Sequence, residues 1–401
     1  MSVDLERPKR LALPRGWFDA SGLCVWFAFG LTVAALVLIE DAKRSVLPAY
    51  RLGSERFFAG DPLYDVQTAM GYLYPPGFAA LTAPFWSIGS PWDEVVWRMI
   101  GFGLLTYALI RQALSLGGEK TLWTISVAAF FAIPLSAGAM RNDQTTILLA
   151  ATCWLMLIAA LEGRPRAMAI WGVLALLAKP TAIVILLLIA ALRPRFIPWL
   201  LLAVLAVVGA PFAVAAPGYV AGQTVEFFSL VTAMSAKPGV VFVPADFTAP
   251  LARLDLLPSQ AVVLAIRVAG ALAVLAVVLI IDRTWRVSTA QATLAIFVVA
   301  TFYMSVFNPR VEHNTYALLA LPFALVIARL MQRGLFRTGL ALGLLLAAAG
   351  LTGVHPLIHH ATEFWFGPVV ITFVFLALAV TLLVERRVLG IRTGKPVNAA
   401  P

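Results

Sequence analysis

The sequence predicts an all-α, polytopic integral membrane protein with about 12–13 transmembrane helices. Three observations carry that prediction. First, 61% of the 401 residues are hydrophobic and mean hydropathy is +0.91. Second, only 12% are charged, about half the share a soluble globular chain needs to cover its surface. Third, the apolar runs are continuous, as in "AIVILLLIAAL" and "AVVLAIRVAGALAVLAVVLII". A spanning β-barrel alternates polar and apolar residues, so continuous runs argue for helices.

The apolar segments fall near 21–39, 76–88, 94–110, 122–140, 144–161, 167–178, 180–192, 196–215, 261–281, 287–307, 315–330, 337–353 and 367–384. The first follows the basic run "MSVDLERPKRLALPRGW". It is too long for a signal-peptide core and no small-residue cleavage site ends it, so it reads as a retained helix behind a cytoplasmic tail, 1–20. Residues 21–385 then form one transmembrane domain, and 386–401 a second cytoplasmic tail.

Basic loops orient the chain. Arg164/Arg166, Arg193/Arg195, Arg283/Arg286, Arg329/Arg333/Arg337 and Arg386/Arg387/Arg392/Lys395 occupy alternate loops, which are therefore cytoplasmic. The formal charge of +10 is explained the same way, without nucleic acid. Exterior loops then lie at about 41–75, 216–259, 308–314 and 354–366. One conflict arises. Loop 111–120, with Arg111 and Lys120, should be inside, and 41–75 outside, yet two apolar segments separate them. The shorter, 76–88, begins at Pro75-Pro76 and reads as partial or interfacial.

Within loop 41–75, Val46, Leu47, Tyr50, Gly53, Ser54, Phe57 and Phe58 recur at helical spacing, with Arg44, Arg51 and Glu55 on another face. This predicts an amphipathic helix on the exterior membrane surface, ending at Gly60. The segments 167–178 and 180–192 are each short of a full span and flank "AKP". Lys179 is thus expected at membrane depth, in a cavity open to the exterior, because a Lys facing lipid is costly.

Polar residues gather on the exterior side, including His313, His355, His359 and His360. Five clusters stand out. "GDPLYDVQTAMGYLYPPG" (60–77) carries Tyr72 and Tyr74, suited to hydrogen bonding a ligand or to an interfacial belt. In "RNDQ" (141–144), Arg141 can bind phosphate through its fork of donors, while Asn142 or Asp143 can cap the next helix. Lys179 can snorkel or bind an anion. "FNPRVEHNTY" (307–316) brings Arg310, Glu312 and His313 into one short loop, as a site or as a capped connection with a surface charge pair. "GVHPLIHH" (353–360) lacks a standard zinc spacing and reads as a solvated loop. Cys24 and Cys153 lie in apolar segments and indicate neither a disulfide nor a metal site.

Taken in order, "GDPLYD", "YLYPPG", "RNDQTTILLAA", "ALLAKPTAIVILL" and "NPRVEHNTYALLALP", with "ADFTAPLARL" closing the long exterior segment, resemble glycosyltransferase family 87 of the C-type membrane glycosyltransferases. The resemblance runs over roughly 40–330. It implies a polyprenyl-phosphate sugar donor, commonly mannose, and inverting transfer to an acceptor on the exterior face, expected to be a glycolipid or glycan; the Ala/Leu/Val-rich helices and short loops point to a bacterial inner membrane. It further implies that a carboxylate of the first exterior loop deprotonates the acceptor. Members often carry Asp where this chain has Val46; the nearest carboxylates are Glu40 and Asp41, with Asp61 and Asp65 later in the loop.

The chemistry then distributes as follows. Asp41 is the expected base, with Asp61 second. Arg141, Lys179 and Arg310 are expected to hold the phosphate. Tyr74, Glu312 and His313 contact sugar or acceptor, and Lys43, Arg44, Tyr50, Asp65, Tyr72, Asn142, Asp143 and Gln144 complete the binding set. No cofactor or metal is expected, since Arg and Lys can neutralise the phosphate. A transporter or flippase for a lipid-linked or small anionic solute is the alternative, which an intramembrane Lys and broken segments also suit; no segment pattern repeats between the two halves.

Overall fold

The structure is a computed structural model that describes residues 19–39, 45–64, 71–236, 245–285, 287–309, 311–352, 356–362 and 364–384. The described residues are helical, without strands. In order the helices are α1 (Ser21–Leu36), α2 (Leu47–Ala59), α3 (Pro76–Trp86), α4 (Trp92–Leu116), α5 (Thr121–Arg141), α6 (Thr146–Leu161), α7 (Pro165–Ala178), α8 (Ile183–Leu192), α9 (Ile197–Gly209), α10 (Pro217–Ala236), α11 (Thr248–Arg253), α12 (Gln260–Thr284), α13 (Thr289–Val306), α14 (Ala317–Gln332), α15 (Phe336–Leu351), α16 (Pro356–Thr362) and α17 (Phe366–Val384). Helix is the answer because, in lipid, every backbone amide must bond within its own segment. Proline opens α2, α3 and α7, where its missing N–H costs nothing. Ser288 and Gln291 form a capping box at α13.

Among the described residues, seven helical stretches are long and apolar enough to cross a membrane, and five shorter apolar helices join them: α1, α6, α7, α8 with its leading turn, and α15. The eleven-residue α3 belongs to neither set. At 1.5 Å per residue it is about 17 Å long, against roughly 30 Å of hydrocarbon. By length α3 is too short to cross the hydrocarbon as a straight helix.

The centre of the bundle is α6 and α14. Every residue of α6 except Leu148 and Leu161 is buried, and every residue of α14 except Arg329 and Gln332. A helix apolar all round belongs in an interior. Trp154 of α6 stacks on Phe297 of α13, with ring centroids 5.1 Å apart. By contrast α12 exposes Leu264, Val268 and Leu272, the pattern of a lipid-facing helix. α15 sits backbone to backbone on α5: a Cβ at Gly350 would lie 2.2 Å from the carbonyl carbon of Pro134.

Two ends of the bundle differ. At one, Arg111 of α4 bonds both carboxylate oxygens of Glu162 at 2.9 Å, and Arg193 grips Asp282 at 2.8 and 2.9 Å. There too Gln112 donates to the carbonyl of Ala290 and Arg329 to that of Gly117, each at 2.8 Å. These are the arginine-bearing turns between α4 and α5, α6 and α7, α8 and α9, α12 and α13, and α14 and α15. At the other end the α5–α6, α7–α8 and α13–α14 connections meet the start of α2.

Two expectations need correction. Segment 216–259 is not a plain loop: it holds α10 and α11, with 237–244 outside the described residues. The stretch 353–360 includes the start of helix α16, while His355 and the side chains of His359 and His360 lie outside the described residues. The amphipathic helix is present as α2, with Leu47, Tyr50, Gly53, Ser54 and Phe57 buried and Phe58 turned outward, 54% exposed. Its apolar face is covered by protein: Tyr50 meets Phe78 of α3 edge-on at 5.1 Å and Phe57 meets Tyr219 of α10 at 5.7 Å.

Candidate active site

The turns at the second end enclose a cavity of about 460 Å³. Its wall comes from the start of α2 (Val46, Ala49, Tyr50), the extended run Gly71, Leu73 and Tyr74, and the start of α6 (Gln144, Thr146, Leu149). It continues through the α7–α8 junction (Lys179, Pro180, Thr181, Ile183), α10 (Phe227, Phe228, Val231) and the α13–α14 connection (Asn308, Pro309, Glu312, Thr315, Leu318). Among these lining residues Lys179 is the one cation and Glu312 the one carboxylate.

Lys179 is placed by a helix break. Pro180 lacks an N–H and disfavours helical backbone at the residue before it. Lys179 accordingly takes φ −158°, ψ 139°, ending α7. The arms α7 and α8 both start or end among the arginine turns and meet at Lys179, about 21 Å along the fourteen-residue α7. That is short of a full hydrocarbon thickness of about 30 Å, and the lysine is half-buried in the protein. Its Nζ donates to Thr146 Oγ1 at 2.9 Å.

A chain of hydroxyls lies beside this pair. The Tyr50 and Tyr74 hydroxyls are 2.9 Å apart, and that of Tyr74 is 2.9 Å from Thr145 Oγ1. Burial, and then the neighbouring Tyr74, push the Tyr50 phenol well above its ordinary range. It therefore stays neutral and is available as a hydrogen-bonding group.

The "RNDQ" turn is split in function. Gln144 faces the cavity, but Asp143 turns away, in the left-handed region at φ +57°, which Asp tolerates better than most residues. Its carboxylate receives a two-pronged bond from Arg98 of α4, Nε at 2.6 Å and Nη2 at 2.8 Å. Arg98 also donates to the carbonyls of Val33 and Arg141, at 2.5 and 2.9 Å. Asp143 thus braces α1, α4 and the α5–α6 turn against each other instead of lining the cavity. Asn142 acts through its backbone carbonyl, which accepts from the Val46 amide at 3.2 Å and ties the start of α2 to the turn. Arg141 is half-buried and does not line the cavity.

Tyr72 is also set back from the cavity. It packs on Gly53, where a Cβ would lie 2.3 Å from its ring, and donates to the Pro75 carbonyl at 3.0 Å. Asp61 is exposed just past the end of α2, its carbonyl accepting from the Tyr219 hydroxyl at 2.7 Å, and it is not in the wall. His313 stacks on Phe364 at 5.3 Å, beside the cavity and not in its wall. Glu312 opens the short helical turn His313–Tyr316, with reciprocal capping bonds to Thr315. Asp41, Lys43, Arg44, Asp65 and Arg310 lie outside the described residues.

So the structure brings Tyr50, Tyr74, Gln144, Lys179 and Glu312 together. It adds residues the sequence reading passed over. Thr146 holds Lys179 yet reads in sequence as an ordinary helix residue. Arg98 had a visible signal, an arginine inside an apolar segment, where such a residue needs a partner. Phe227 and Phe228 sat in what read as loop.

No curated protein matches the chain. Among solved structures, the crystal structure of ArnT from Cupriavidus metallidurans bound to undecaprenyl phosphate is similar at 15% identity and a TM-score of 0.36, covering 92% of this chain and 78% of that one. The sequence profile of glycosyltransferase family 87 matches residues 72–309, from Tyr72 through the aromatic hydroxyls, Lys179 and α10 to Pro309. With most of the cavity wall and more than half its length inside that match, this multi-pass membrane protein belongs to glycosyltransferase family 87.

Proposed function

We propose that the protein transfers a hexose, mannose first among them, from a polyprenyl-phosphate donor to a hydroxyl of a glycolipid or glycan, with inversion, on the exterior face of a bacterial inner membrane. The observation that carries this reading is Lys179, the one ammonium among the described lining residues, held by Thr146 in a mostly apolar cavity that also holds Glu312. A phosphate on a lipid cannot leave the bilayer, and a cation held at the break between two short apolar helices, as Lys179 is, meets that demand. The arginine turns gather at the opposite end, and the positive-inside rule puts the cavity outside.

In this reading Glu312 takes the acceptor proton as the acceptor oxygen attacks the anomeric carbon from the side opposite the phosphate. The carbon–oxygen bond to phosphate breaks and its electron pair leaves with polyprenyl phosphate, whose growing charge Lys179 stabilises. Glu312 can cap its turn and still accept a proton, because a carboxylate has about four lone-pair positions. Tyr50 and Tyr74 hold sugar hydroxyls. Lysine can neutralise the leaving phosphate directly, so turnover is expected to persist in chelator.

The test uses the full chain in lipid nanodiscs with polyprenyl phosphate carrying tritiated mannose and a membrane lipid extract as acceptor. Radiolabelled product from wild type supports the reading. Movement of the labelled lipid across vesicle bilayers without product overturns it in favour of transport. Glu312→Gln is expected to lower kcat about 10²- to 10⁴-fold. If Asp41→Asn does so and Glu312→Gln does not, the base is Asp41.

A further inference from the structure

Arg267 stands about two turns inside α12, a helix that otherwise presents apolar side chains to lipid. Its Nη2 donates to Asp246 Oδ2 at 2.7 Å. Asp246 is fully buried, and its other oxygen accepts from the amide and the hydroxyl of Thr248 at 2.9 and 2.5 Å. The guanidinium also lies over the ring of Phe247, 5.9 Å from its centroid.

The segment fixed in this way is bonded along the connection that carries Glu312. Ala245 N–H donates to the Val311 carbonyl at 2.7 Å, Phe247 N–H to the Val306 carbonyl at 3.0 Å, and the Tyr316 hydroxyl to the Ala245 carbonyl at 2.5 Å. The connection is thus held at both ends and just before Glu312. Asn308, Pro309, Glu312 and Thr315, all in the cavity wall, lie between those anchors.

We infer that the Asp246–Arg267 pair is a latch that positions Glu312 for the transfer, so that an ion pair outside the cavity sets the rate inside it. This rests on the transfer reading above. Lys179, which would hold the donor phosphate, stands on another element, so the latch is expected to affect turnover more than donor binding. A displacement of about 1 Å in a reacting group can cost a hundredfold in rate.

The experiment measures kcat and KM for polyprenyl-phosphate mannose in nanodiscs, with melting temperature, for wild type, Arg267→Gln, Arg267→Lys and Asp246→Asn. Both Arg267→Gln and Asp246→Asn are expected to lose about tenfold or more in kcat with donor KM changed less than about twofold. Arg267→Lys, which keeps a charge facing Asp246, recovers part of the loss. If Arg267→Gln does not fold, Asp246→Asn, whose amide oxygen can still accept from Thr248, carries the test. Wild-type kcat in both broken-pair variants overturns the latch alone, as does a loss of activity that only follows the folded fraction. A wild type that transfers no sugar overturns the latch and the transfer reading together.

Discussion

The two ends of the helical bundle handle charge in opposite ways. At the arginine end the ion pairs are partly solvated: Arg111 and Glu162 side chains keep 31% and 29% of their exposure. At the cavity end the bracing pair is deep: Arg98 and Asp143 keep 6% and 0%. Coulomb attraction between solvated groups is weak, and the pair at the first end is replaceable. A buried charge that loses its partner has no water to turn to. The difference separates charges that orient the chain from charges that build a site.

The comparison can be broken or sharpened by substitution at each end. The largest effect is expected at Lys179. Lys179→Gln keeps a donor for Thr146 but removes the charge facing the phosphate, and kcat should fall about 10²- to 10³-fold, measured in the nanodisc transfer assay with melting temperature little changed. Near-wild-type turnover would break the assignment of the cavity end as the chemical end. Next is the brace. Arg98→Gln should destabilise the fold by about 3–5 kcal/mol, since it leaves the Asp143 carboxylate buried and unpaired, and thermal unfolding in detergent reads the loss. Double replacement of Arg98 and Asp143 by apolar residues should recover part of it, separating the cost of an orphaned charge from the value of the pair. Smallest is the arginine end: Arg111→Gln should change stability by no more than about 1 kcal/mol and leave kcat at the wild-type value. A large loss there would mean that the two ends are coupled.

Much of this architecture was legible in the sequence. Each apolar run became a helix close to its expected bounds, because hydrophobicity and the need to bond every amide act locally. The alternating arginine loops marked one end. The shortness of 76–88 behind two prolines was in view too, and α3 is an eleven-residue helix. Site residues were less evenly legible. Tyr50, Tyr74, Gln144, Lys179 and Glu312 reach the cavity, while Asp143 and Tyr72, from the same motifs, serve as brace and packing. Nothing in "RNDQ" tells which of its polar side chains faces inward, since one positive φ at Asp143 decides it. Arg98 and Asp143 are 45 residues apart, Asp246 and Arg267 are 21, and no local pattern joins them.

By itself the sequence determined that the chain is helical and membrane-embedded, where its helices lie and which loops share a side. These follow from the cost of apolar surface in water and of unbonded amides or lone charges in lipid, which each segment meets largely alone. Only the tertiary structure decided which polar groups share a cavity and which are consumed in holding it. That depends on how distant helices pack and which way single side chains turn at their ends.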